Sequence, residues 1–231
     1  MALGNAHTCA RLDNGSVKCW GNGTVGKLGS NGTANLGDGA NEMGDNLIAV
    51  NLGVGRTATK IVTGLDYTCA LLDDGNVKCW GENQRGQLGQ DNTTDRGDNL
   101  NPMSGVNNIA IGGTATDIIG LYETVCIKRS DNSMICWGRN NRGQVGKGST
   151  AGANANIGDV AGEMAAIVSI NFGAGFGTLS KMFAMGQAVC AQDTLNVTKC
   201  WGYGAFGNQL NAGTGNVTAP NTVMNFGTGL V

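Results

Sequence analysis

The sequence holds one histidine, two prolines and few charges, with Asp, Glu, Lys and Arg together at 14% of 231 residues, where about a quarter is usual. A lone imidazole leaves little for a histidine-rich zinc site, and neither a C-x-x-C pair nor an H-E-x-x-H or G-x-S-x-G motif is present. Fifteen Lys and Arg face 17 Asp and Glu, for a net charge of −2 and no basic run. The electrostatic footprint of a nucleic-acid or anionic-membrane partner is therefore missing. No stretch approaches the roughly 18 apolar residues of a spanning helix, so membrane insertion is not expected. The opening Met1-Ala2-Leu3-Gly4-Asn5 has neither a charged nor an apolar signal region, and a secretion signal is expected to lie outside this sequence or to have been removed.

What the chain does have is glycine, 40 residues of it, beside 41% apolar residues. That balance suits many short strands joined by tight turns and argues against disorder. The length is compatible with one all-β domain. Self-alignment gives the organisation: Cys9 and Cys19, Cys69 and Cys79, Cys126 and Cys136, Cys190 and Cys200 share one spacing, and each second Cys precedes Trp-Gly. Downstream come Gly26-Lys27-Leu28-Gly29, Gly86-Gln87-Leu88-Gly89 and Gly143-Gln144-Val145-Gly146, with an echo at Gly207-Asn208-Gln209-Leu210. The period, from first Cys to first Cys, is 60, 57 and 64 residues.

A unit of this size with several short apolar runs is one propeller blade's worth of chain. In the second unit the strands are expected at Ala58–Val62, Tyr67–Leu72 and Asn76–Gly81, with a further one at Asn107–Ile111. Such a sheet buries its faces only by stacking on neighbours, so Trp20, Trp80, Trp137 and Trp201 are read as interblade packing rather than as a ligand-binding aromatic set.

Between each cysteine pair lies a three-residue loop whose third residue is Gly15, Gly75, Asn132 or Asn196, the residue types that tolerate positive φ. With such a loop Leu12 faces Ser16, and counting outward brings Cys9 opposite Cys19; the same arithmetic pairs all eight cysteines. The expected Cα separation is about 4.5 Å, at the short edge of the disulfide range. Disulfides are thus expected, which places the chain in an oxidising compartment.

The run His7-Thr8-Cys9-Ala10-Arg11-Leu12-Asp13-Asn14-Gly15-Ser16-Val17-Lys18-Cys19-Trp20-Gly21 with the later Gly-x-Leu-Gly resembles the repeat of the regulator of chromosome condensation family. The resemblance recurs in four copies and is closest from Tyr67 to Gly89. It implies a β-propeller, seven-bladed in that family, and the paired cysteines resemble those of secreted bacterial or algal members. With four repeats and no basic arm, no functional residue is carried over from the nuclear exchange factor. Ala2-Leu3-Gly4 aligns with Val62-Thr63-Gly64, and Phe226-Gly227-Thr228-Gly229 with Leu52-Gly53-Val54-Gly55. The expected object is therefore a part of a larger propeller, an arc completed by another copy, or a four-bladed ring.

Three units carry a looser pattern: Gly37-Asp38 before Met43, Gly97-Asp98 before Met103, and Gly158-Asp159 before Met164. Asp38, Glu42 and Asp45, or Asp159 and Glu163, are candidates for calcium, but their spacing fits no known loop, and turn chemistry for Asp with a packing anchor for Met is preferred. Arg96-Gly97-Asp98 occupies the same slot and is read as a turn rather than an adhesion motif. Sequons stand at Asn14, Asn22, Asn31, Asn92, Asn196 and Asn216. His7 is the obvious residue that breaks the repeat, its equivalents being Tyr67, Thr124 and Ala188.

The sequence thus predicts a single all-β propeller domain over 1–231 with repeats near 1–57, 58–114, 115–178 and 179–231. It predicts no catalytic residues, metal or cofactor, and an extracellular or cell-surface module whose variable loops meet a protein or a glycan. A homo-oligomeric subunit of an extracellular filament or sheath is the rival, and a nuclear exchange factor is third.

Overall fold

A computed structural model describes residues 1–150, 155–203, 216, 217 and 220; Gly207–Leu210 and Phe226–Gly229 lie outside these. The first sheet is β1 (Ala2–Leu3), β2 (His7–Arg11) and β3 (Val17–Gly21); the second is β4 (Ala58–Thr63), β5 (Tyr67–Leu72) and β6 (Val77–Gly81). The third is β7 (Ala115–Leu121), β8 (Thr124–Arg129), β9 (Met134–Arg139) and β10 (Asn156–Ile157). The fourth is β11 (Leu179–Met185), β12 (Ala188–Asp193), β13 (Thr198–Tyr203) and β14 (Asn216–Val217). Every pairing is antiparallel, and in the first two sheets the fourth strand shrinks to one bridge, Gly21 with Leu36 and Gly81 with Arg96. The first strands β1, β4, β7 and β11 run side by side along the arc, the arrangement of a partial β-propeller.

The hairpins follow from their turns. Gly15, Gly75, Asn132 and Asn196 all have positive φ, between 65° and 79°, and Leu12 N–H donates to Ser16 O at 2.9 Å as the loop closes. Cys9 pairs with Cys19, Cys69 with Cys79, Cys126 with Cys136 and Cys190 with Cys200. All four pairs are bonded, each with Cα atoms 4.1 Å apart, and no described cysteine is free.

Burial shows what stacking does. All six residues of β5 are buried, because a sheet lies on each face, whereas β2 alternates with one face more open. One expectation fails: Asn107–Ile111 is not a strand. It is a strap held to β6 by a single Ile109 N–H to Val77 O bond at 3.0 Å, with Ile109 and Ile111 buried beneath it.

Successive sheets meet through a repeated seam. The indole N–H of Trp80 donates to Lys27 O at 3.1 Å, that of Trp137 to Gln87 O at 3.1 Å, and that of Trp201 to Gln144 O at 2.9 Å. Each acceptor is the x of the preceding unit's Gly-x-Leu/Val-Gly. Beside it, backbone meets backbone: a Cβ on Gly26 would lie 2.6 Å from Asp98 N, and one on Gly86 2.4 Å from Asp159 N. A clasp completes the seam, Met103 N–H donating to Asn31 Oδ1 at 2.7 Å and Met164 N–H to Asp91 Oδ1 at 2.8 Å. Met103 and Met164 are 1% exposed. Trp20 of the first sheet and Met43 in the loop after it face no preceding seam; Trp20 is half-buried and Met43 is 43% exposed.

Three outcomes test this frame. Replacing Cys69 and Cys79 by Ala removes a bridge across a ten-residue separation and should cost about 3 kcal/mol in urea unfolding. Gly86→Ala should cost about 2 kcal/mol or more, since its Cβ has no room and its φ is +73°. Gly105→Ala, with open space around it, should be near neutral in the same assay.

Candidate interaction face

The turns between first and second strands gather at one end of the arc. Leu65 N–H donates to Tyr122 O at 2.8 Å and Asn5 N–H to Leu65 O at 3.3 Å, chaining three of these turns together. Each also accepts from a residue at the end of its sheet's third strand or just past it: Asn22 N–H to Ala6 O, Glu82 N–H to Asp66 O and Arg139 N–H to Glu123 O, all at 2.8 Å.

His7 sits in the first seam beneath this end. Thr68 donates its hydroxyl proton to Lys27 O at 3.0 Å, so the His7 Nε2–H donates to Thr68 Oγ1 at 2.9 Å. Its Nδ1 is buried without a hydrogen-bond partner. Burial first, and the nearby Lys27 charge second, lower the His7 pKa to about 4 against a weaker opposing pull from Asp66. Lys27 itself is buried and paired with Asp66 at 2.5 Å. The imidazole is thus a neutral packing group whose one proton is committed. The second unit puts Tyr67 in the same place, its hydroxyl between Leu121 O at 2.8 Å and Thr124 O at 2.7 Å, with burial pushing the phenol pKa up.

The acidic loops are likewise occupied. Glu42 accepts from Gly37 N–H and Gly39 N–H, and Glu163 from the N–H groups of Gly158, Asp159 and Val160. Asp98 of Arg96-Gly97-Asp98 accepts from Leu100 and Asn101 N–H, while Gly97 is pressed against Gly26 O. These carboxylates close their own turns. Among the described residues no three His, Cys, Asp or Glu side chains converge as a metal site.

The exposed side chains on this end are of another kind. Tyr122 (38% exposed) and Tyr203 (40% exposed) project from the third and fourth sheets. The Arg139 guanidinium lies 5.7 Å from the Tyr122 ring centre and that of Arg142 lies 5.1 Å from the Tyr203 ring centre. Arg139 also pairs with Glu123. Near them Glu82 is held above the usual carboxylate range by burial and by the charges of Glu123, Asp66 and Asp95. The sequence reading missed these Tyr–Arg pairs, because one joins residues 17 apart within the third unit and the other joins the third unit to the fourth, so neither leaves a periodic signal. It also missed buried Asn83 and Asn140, which accept from Leu88 and Val145 N–H and so shape the loops that carry the seam carbonyls.

Comparisons with known proteins agree with the repeat and the fold. The family model for the regulator of chromosome condensation (RCC1) repeat matches residues 1–27 and 58–87. The E3 ubiquitin-protein ligase HERC2 of Homo sapiens is 31% identical over 149 residues, covering 64% of this chain and 3% of the ligase. The ultraviolet-B receptor UVR8 of Arabidopsis thaliana is 29% identical over 150 residues, 64% of this chain and 31% of the receptor. Among solved structures, Prp20p from Saccharomyces cerevisiae superposes over the whole chain and 50% of its own, with a TM-score of 0.72 at 17% identity. Human WBSCR16 gives 0.71 at 17% identity, over 94% of this chain and 50% of its own. The chain therefore spans half or less of each of these proteins, and at these identities the solved structures speak for fold alone.

The His7 arrangement predicts a pH dependence. The unfolded imidazole takes a proton at about 6.5, whereas the folded one stays neutral down to about 4. The unfolded state therefore binds more protons in between, and this contribution is complete above pH 6.5, falls as pH drops towards 4 and then levels off, by about 3 kcal/mol at most. Urea midpoints for wild type and His7→Phe between pH 4 and 7 should differ in slope over that window, the variant losing the imidazole part of the decline. Parallel curves would show that His7 does not titrate as described.

Proposed function

The chain carries repeats of the regulator of chromosome condensation family, and from that premise we propose that it is a non-catalytic protein-binding module of an extracellular or cell-surface setting. The observation that carries the reading is the division of labour among side chains. Repeated residues are consumed in disulfides, turn caps and seams, while the residues left at the strand-end face include two half-exposed tyrosines, each with an arginine over its ring. Tyr and Arg are the residue types that dominate binding hot spots, since both present large area with a polar handle.

Support for a protein ligand comes from the fold's use elsewhere. The solved propellers of this fold include yeast RCC1 (Prp20) bound to Kap60, and the Prp20p structure is described with binding to Gsp1p and histones. The same partners are not inferred for this chain, whose net charge of −2 gives histones or nucleic acid no matched field of the basic-arm kind. The extracellular assignment rests on the four bridges, which reducing compartments do not sustain. The non-catalytic assignment rests on the commitment of His7 and Thr68 to the seam.

The test is comparative capture. Immobilised wild-type chain and the Tyr122→Ala/Tyr203→Ala variant are exposed to medium conditioned by the source cells, and retained proteins are quantified. A specific partner should be retained by wild type and weakened at least tenfold by the variant, about 1.4 kcal/mol, with thermal stability unchanged. Equal retention by both chains sinks the assignment of this face.

A further inference from the structure

We propose that the seam between the third and fourth sheets contains a second binding site, a cleft for a single neutral sugar ring. The proposal goes beyond the protein-binding face, from which it is separate in residues and in ligand.

The first two seams show what a closed hairpin tip looks like. Gly15 approaches Thr57 so closely that an added Cβ would lie 2.6 Å from the Thr57 Cβ, and Ala58 N–H donates to Gly15 O at 2.8 Å. Gly75 repeats this against Thr114, at 2.9 Å, with Ala115 N–H to Gly75 O at 2.8 Å. In each case the absence of a side chain lets the next sheet's first strand sit directly on the tip.

The third tip has the same backbone but a different residue. Asn132, at φ 65°, places a side chain where Gly15 and Gly75 leave none. The equivalent bond, Leu179 N–H to Asn132 O, is not among the hydrogen bonds of the described residues. A cleft of about 320 Å³ stands at the tip instead, lined by Asp131, Asn132, Thr178, Leu179, Ile170 and Phe172 among others. The volume sits at the small end of ligand sites, about 300–1,000 Å³, which suits one ring rather than an extended chain.

The lining identifies the ring. Its floor is apolar, with Ile170 and Leu179 buried and Phe172 half-buried. Phe172 takes the slot that holds Leu52 and Ile111 in the first two straps, and it is braced by stacking on Phe176 at 4.2 Å and by an edge contact with Trp201 at 6.0 Å. The exposed rim is polar: the Asp131 carboxylate, the Asn132 amide and the Thr178 hydroxyl. A pyranose matches both layers, its C–H face lying on the aromatic floor while hydroxyls meet a carboxylate and an amide. Anions are disfavoured by Asp131 with no cation in the lining. Asp131 Oδ1 already accepts from Ser133 N–H at 2.9 Å, and a wholly apolar ligand would cover the Asn132 amide and the Thr178 hydroxyl without offering either a hydrogen bond.

The experiment is a titration of the disulfide-intact chain with glucose, galactose, mannose and N-acetylglucosamine, followed by saturation-transfer and backbone-amide NMR. At least one sugar should give saturable shifts at Asn132, Thr178 and Leu179. Asn132→Gly should restore the closed tip, lowering sugar affinity at least tenfold while stability is kept or raised; Phe172→Leu should lower it similarly by removing the ring. The idea is overturned if none of the sugars perturbs these amides, if Asn132→Gly binds as well as wild type, or if free tyrosine saturates the same amides and the sugars do not. Because the readout is a free sugar at the hairpin tip, failure here leaves the Tyr122 and Tyr203 result untouched, and failure of that face leaves this one untouched.

Discussion

The structure depends on how closely one sheet's backbone can approach the next. At each described seam an indole N–H reaches a loop carbonyl, while paired glycines, Gly26 with Gly97 and Gly86 with Gly158, bring two backbone segments into contact. A hydrogen bond of this sort contributes modestly by itself, about 1 kcal/mol. Its larger effect is positional, since a buried Trp without its acceptor would carry an unpaired donor and the sheets would lose register. Gly-x-Leu/Val-Gly and Gly-Asp are therefore one motif read from two sides of a seam, and neither half has a partner within its own sheet.

The disulfides and the seams solve different parts of the stability problem. A sheet of three or four short strands cannot hold itself together in water without packing on something else, and a chain with 40 glycines loses much backbone entropy on folding. The bridges act locally, fixing each central hairpin whether or not its neighbour is in place. Seams act between units and supply the apolar burial, as the fully covered β5 shows beside the half-open β2. Such an array grows by nearest-neighbour terms, so a lapse at one seam need not spread to the others.

Much of this was legible in the sequence, for physical reasons that can be named. The hairpins could be read because turn type and strand register are linked: a three-residue loop ending in Gly or Asn fixes which residues face each other, and the cysteines fell opposite. The strap at Asn107–Ile111 was misread because its alternation of apolar residues records burial, and burial is shared by strands and by segments lying over a sheet. Trp20 could not be told from the other three tryptophans, since its environment depends on a neighbour that its own repeat does not specify. The Gly-Asp loops read as turns from sequence, yet the carboxylates that close them, Glu42 and Glu163, also read as calcium candidates, because sequence shows charge without showing which N–H groups it meets. Tyr122 with Arg139 and Arg142 with Tyr203 were invisible, being contacts between side chains that no period relates.

The same reasoning says where function can enter such an array. Positions that serve a seam are held by sterics: a Cβ at Gly26, Gly86 or Gly97 would meet backbone atoms within 2.7 Å, and backbone cannot rotate out of the way as a side chain can. Variation is left to tips and loops, and a tip that departs from glycine does two things at once. It loosens one seam and it adds a polar side chain beside newly accessible apolar surface. Asn132 does both, at a cost limited to the lost tip contact because the Trp201 bond at the other end of that seam remains at 2.9 Å. The rigid repeat thus makes local departures affordable, and a residue that breaks the pattern without breaking the seam is the first place to look for a ligand.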